Sequence, residues 1–215
     1  MPNVDIRGIQ RATGAGSAQV QAGIDGNNNL LTAQGMPMYA EMSRLGESWT
    51  VGTATLFAPL VAKPTTVTAL EVFNNSSTRV MVVADLFAEQ ILSTAATQTY
   101  GIYAMITTTK AVPTLTALSV FSNSGKALVT PTAAGEIVTG VGTTVVANGW
   151  RPWGPAQAWG TASATPGNSW SVPVDGKLIV PPQTSICLHI VGALATASTF
   201  QVGLTFNWAT MRVEA

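Results

Sequence analysis

Charge is scarce in this chain. Of 215 residues, ten are Lys or Arg and ten are Asp or Glu, 9% in all, and the formal net charge is zero. Soluble domains usually carry about 25%. A free monomer with so few charges has little to repel its own copies, so much of its surface is expected to be covered by copies of itself or by a partner. The same scarcity argues against nucleic acid as a partner, because phosphate neutralisation needs clustered Lys and Arg. In the first 48 residues the only bases are Arg7, Arg11 and Arg44, offset by Asp5, Asp25, Glu41 and Glu47. No basic cluster suggests an anionic membrane, and no apolar run approaches the ~18 residues that span a bilayer.

Chemistry-bearing residues are equally few. Cys187 is the single cysteine, which excludes an intrachain disulfide and a thiolate metal cage. His189 is the single histidine. It shares one face of a β segment, SICLHIV at Ser185–Val191, with Cys187 by the period of two. A Cys–His pair is a nucleophile–base combination. Here it has no third orienting group nearby, and the thiol sits in an apolar run where thiols are inert, so packing is the expected role. Beyond residue 90 the only carboxylates are Glu136, Asp175 and Glu214. Asp175 belongs to a DG turn. Asp85 and Glu89 lie close in sequence, but nothing is read as converging on them. There is no phosphate loop and no G-x-S-x-G. The expectation is a non-enzymatic chain with no catalytic residue, no cofactor and no metal. The opening residues lack a positive start followed by a long apolar run, so assembly in a reducing cytoplasm is expected.

What is present falls into two parts. Residues 1–48 read as an extended N-terminal arm, rich in Gly, Ala and Asn, that cannot bury enough apolar surface to offset its own ordering. It is expected to be held by neighbouring subunits, with Val4, Ile6, Ile9, Val20, Ile24, Leu30 and Leu31 as its contacts. A short helix is predicted near 37–45. Pro37 suits the first helical position, Met38, Met42 and Leu45 share a face, and Gly46 suits a left-handed cap.

Residues 49–215 read as an antiparallel β-sandwich. Runs rich in Val, Thr, Ile and aromatics are broken by Gly, Pro, Asn and Ser. Strands are predicted near Ser48–Leu56, Thr66–Phe73, Thr78–Phe87, Thr99–Thr107, Thr114–Phe121, Lys126–Val129, Ile137–Val146, Ser169–Val174, Lys177–Val180, Ser185–Val191 and Thr199–Met211. Long connections, Gly149–Asn168 above all, favour jelly-roll wiring over simple hairpins. One wording repeats: TVTALEVFNNS at Thr66–Ser76 and TLTALSVFSNS at Thr114–Ser124, read as equivalent strands of one fold.

Aromatic residues cluster in the segment 149–170, at Trp150, Trp153, Trp159 and Trp170. Packing inside the sandwich or between subunits is the first reading. Stacking on sugar rings, with Arg151 on one of the indoles, and anchoring to another protein are the others. The second would make the chain a carbohydrate-binding module of a fibre or spike.

The arm, the RLGESWTVG entry at Arg44–Gly52 and the VDGKLIVPPQTSICLHIVG segment at Val174–Gly192 together resemble the small virion structural proteins of tailed bacteriophages. The last segment is similar to the strand, Pro-Pro turn and strand that close viral jelly rolls. This resemblance implies a capsid cement or decoration protein on the virion surface, tied to the major capsid protein and to its own copies, most often as a homotrimer.

Overall fold

The computed structural model describes residues 23–24, 30–31, 38–54, 56–93, 98–107, 118–125, 130–131, 134–141, 145, 149–159, 168–192 and 198–210. The chain divides into two units, Met1–Met38 and Tyr39–Ala215. In the first, β1 (Gly23–Ile24) pairs antiparallel with β2 (Leu30–Leu31), so the expected extended arm includes one local pairing. Val4, Ile6, Ile9 and Val20 lie outside the described residues.

The helix α1 spans Met38–Leu45, where the sequence placed it. Gly46 closes it at φ 77°. The Gly46 N–H donates to the Ser43 carbonyl and the Glu47 N–H to that of Met42, each at 2.9 Å. These are the paired bonds of a Schellman cap, which need a residue at positive φ.

The second unit is an all-β sandwich. Its strands are β3 (Ser48–Gly52), β4 (Leu70–Asn74), β5 (Arg79–Ser93), β6 (Gln98–Thr107), β7 (Val120–Ser122), β8 (Ile137–Val141), β9 (Arg151–Trp159), β10 (Asn168–Pro173), β11 (Ile179–Val180), β12 (Ser185–Gly192) and β13 (Ser198–Thr210). One sheet runs β10-β5-β13-β3-β7, with β11 also on β5, and the other runs β8-β4-β12-β6-β9. Setting aside the two-residue β11 and the strands β7 and β8, eight strands remain. The first of these pairs with the last (β3–β13), the second with the seventh (β4–β12), the third with the sixth (β5–β10) and the fourth with the fifth (β6–β9). That nesting is a long antiparallel ribbon wrapped over itself, the wiring of a jelly roll. The strands β7 and β8, which come between β6 and β9 in the chain, each extend one sheet.

Alternation explains which faces meet. Met81, Val83, Leu86 and Ala88 of β5 and Phe200, Val202, Leu204 and Phe206 of β13 point inward and are buried. They meet Ile186, Leu188 and Ile190 of β12 and Ile102 and Ala104 of β6 in one core. The breaks between strands carry the expected turn chemistry. Asn74 Oδ1 accepts the Ser76 N–H at 3.1 Å. Asp175 and Gly176 both take positive φ, 50° and 75°, and the Lys177 N–H donates to the Val174 carbonyl, a type I′ turn.

Two sequence expectations are corrected. The connection expected across Gly149–Asn168 contains the nine-residue strand β9. Its Pro152, Gly154 and Pro155 are residue types that mark loops in a local window. Yet β9 is the edge of its sheet, where a proline has no second neighbour to donate to. Gly154 sits at φ 68°, beside a register shift against β6 between Tyr100 and Ile102. The repeated wording also occupies unlike places. Val72 and Val120 are both buried, but Phe73 is fully buried in β4 while Phe121, its counterpart on the edge strand β7, is 65% exposed. The segment Lys126–Val129, expected as a strand, lies outside the described residues.

Candidate functional site

The tryptophans are the first candidates. Trp150 precedes β9 and is 3% exposed, and its indole N–H donates to the Thr65 carbonyl at 3.0 Å. With Met105, Val145 and Cys187 it forms a second apolar cluster. Met105 and Cys187 face away from the main core, so residues of the β6–β9 connection cover the outer face of the five-stranded sheet. Trp153 is half-buried and packs against the main core. Trp170 is buried, edge-on to Phe200 at 6.1 Å. Trp159 pairs with Gln98 through its backbone. Arg151 is exposed and opens β9. Among the described residues the cation over an indole is Arg79, 4.7 Å from the Trp208 ring. It also pairs with Glu47 and, at 3.4 Å, with Glu136.

Cys187 and His189 share the outer face of β12, as their spacing requires, and both are buried. Burial pushes the Cys187 thiol well up from its ordinary range, the Glu71 carboxylate adds to this, and a hydrogen bond with Thr68 opposes it. A thiol held protonated is a poor nucleophile. Burial pulls His189 below its ordinary 6.5, with a backbone hydrogen bond at Ile190 opposing. Its Nδ1 lies 2.9 Å from both the N–H and the carbonyl oxygen of Ile190, and Phe57 stands edge-on at 5.4 Å. Cys187 packs with Val145 and Trp150 of the covering segment, and His189 packs against Phe57 of the β3–β4 connection.

These two groups give stability a pH dependence. Below 6.5 the unfolded chain protonates His189 while the folded chain resists. The stability present above that pH is therefore lost as the pH falls, until the buried ring also charges. Above about 9, the unfolded chain ionises Cys187 and the folded chain does not, so stability falls again. Urea unfolding from pH 4.5 to 10 should show both limbs. His189→Gln should flatten the acid limb and Cys187→Ala the alkaline one. An acid limb equally steep in His189→Gln would contradict the assignment.

A second surface feature escaped the sequence reading. A recess of about 420 Å³ opens on the outer face of the six-stranded sheet, lined by residues that include Asp85, Asp175, Asn207, Ser171 and Thr205. The register explains the convergence. Asp85 on β5 lies between Pro173 of β10 and Thr205 of β13. A register shift between Thr205 and Phe206 leaves Ala84 as an extra residue in β5. Its carbonyl accepts the N–H groups of Val174 and Asp175 at 2.8 and 3.0 Å, which brings the DG turn beside Asp85. Glu89, the neighbour the sequence offered for Asp85, pairs with Ser169 and Gln201 instead.

No family model, curated protein or solved structure matches this chain.

Proposed function

We propose that this chain is a non-enzymatic structural subunit of a virus particle, a cement or decoration protein on the capsid of a tailed bacteriophage. It binds the major capsid protein and its own copies, closed into a trimer. The observation that carries this reading is the edge strand β7. It ends the six-stranded sheet and presents Phe121 at 65% exposure, on a chain with only 9% charged residues. No strand among the described residues pairs with the outer edge of β7, and a sheet edge beside an exposed aromatic ring is a template for another chain. The jelly roll supports the reading as an architecture of viral capsid domains, though it also serves lectins and cupins. The seating of Trp150 and Trp153 favours packing over sugar stacking.

The test is attachment to shells of the major capsid protein assembled without this chain. Pelleting with the shells should saturate at a fixed number of copies, in threes at symmetry sites. A chain that stays in the supernatant at every concentration would contradict the proposal.

A further inference from the structure

We infer that the exposed ring of Phe121 docks in a groove on the outer face of the five-stranded sheet of a second copy of this chain. The groove measures about 320 Å³ and lies over Gly101 of β6, between Val61 on one side and Pro152 and Ala156 of β9 on the other. Val191 and Tyr103 complete its floor. Val191 pairs with Gly101, and Tyr103 with Pro152, which sets them on one face. Among the described residues the lining includes no charged side chain, and Val61 stands 62% exposed.

Gly101 is the observation that points to a guest. A glycine inside a strand weakens it unless a turn, a bulge or a close approach requires one. Gly101 does not take positive φ. The register shift beside it is taken up by β9, where Gly154, Pro155 and Ala156 lie between the partners of Ile102 and Tyr100, and Gly154 carries the left-handed conformation at φ 68°. A Cβ on Gly101 would meet, among the described residues, only the edge of the Tyr103 ring at an ordinary 3.9 Å. Nothing described within the chain requires the missing side chain. A ring set down on the sheet from outside does.

The occupant follows from what the same chain leaves in water. Phe121 is the most exposed large apolar side chain among the described residues, at 65%. An apolar cavity of about 150 Å³ takes a benzene ring, so the groove has room for the phenyl ring and part of the strand behind it. With 9% charged residues, little keeps two such surfaces apart. The two patches lie at opposite edges of the sandwich. β9 and β10 close one edge, where Gly154 faces Val172. β7 and β8 close the other, where the N–H of Leu118, just before β7, donates to Thr139 Oγ1 at 2.8 Å. Phe121 therefore cannot reach the groove of its own chain. Contact between copies is head-to-tail, the kind that closes into rings. The inference rests on the self-association in the proposed function and not on the capsid.

The experiment is sedimentation velocity of the whole chain and of two groove variants at matched concentrations. Gly101→Val fills the floor with a residue suited to a strand, and Val61→Asp sets a charge on the exposed wall. Each should weaken association at least tenfold. Their urea midpoints, measured at a dilution where the parent is itself dissociated, should not fall. Mixing separates this contact from any other. Phe121→Asp keeps its groove and Gly101→Val keeps its ring, so the two, each monomeric alone, should form a one-to-one dimer and nothing larger. A mixture that stays monomeric would overturn the inference. So would groove variants that associate as the parent does while Phe121→Asp does not, a result that leaves the self-association standing. A parent that is monomeric at every concentration would overturn both.

Discussion

Replacing Phe200 with Ala should lower the unfolding free energy by about 3–5 kcal/mol, the range for a large aromatic removed from a packed core. Phe200 is fully buried in β13. Its ring stands edge-on to Tyr100 at 4.7 Å and to Trp170 at 6.1 Å. Tyr100 belongs to the five-stranded sheet and Trp170 to the six-stranded one, so this ring joins the two layers. Its backbone also exchanges hydrogen bonds with Phe57 on the β3–β4 connection, at 2.9 and 3.2 Å. Deleting the ring leaves a void between partners held by their own strands, which cannot collapse far. Urea unfolding of the variant measures it. A loss below about 1 kcal/mol would mean that the sheets do not meet through this residue.

Gly154→Val should cost about 2–5 kcal/mol, by two additive routes. The position has φ 68°, a left-handed conformation that costs an ordinary residue about 1–2 kcal/mol, and more with a branched Cβ. A Cβ there would also stand 2.7 Å from both methyl groups of Val172. Val172 is buried in the opposite sheet, so its side chain has little room to give. Overpacking of this kind costs about 1–3 kcal/mol. A double-mutant cycle with Val172→Ala separates the two. In that background the steric part should disappear and the backbone part, about 1–2 kcal/mol, should remain. An equal cost in both backgrounds would remove the contact from the account.

That glycine also shows where the sequence was readable and where it was not. The strands β3, β5, β6, β12 and β13 announce themselves because alternating apolar residues need a buried face, and SICLHIV keeps its period of two through the outer cluster. The helix was legible from Pro37, Gly46 and the spacing between them. β9 was not, because Pro152, Gly154 and Pro155 are loop signals in any local window. Only its place at a sheet edge makes them acceptable, and that place is a tertiary fact. The burial of Cys187 was readable from its apolar run. Its cover by Val145 and Trp150 was not, because it comes from a different part of the chain. The recess was out of reach for the same reason. Asp85, Asp175 and Asn207 are far apart in sequence, and each looks ordinary alone. Only the antiparallel register of β5 with β10 and β13 brings them together.

The central claim is that this chain is built to be joined to others, and sedimentation velocity of the whole purified chain across a hundredfold dilution tests it most directly. The account predicts a trimer that dissociates only on dilution. It predicts that Phe121→Asp, which sets a charge on the exposed edge of β7, weakens association at least tenfold while leaving unchanged the urea midpoint measured at a dilution where the parent is itself dissociated. A single monomeric species at every concentration, the same for the parent and for Phe121→Asp, would contradict it.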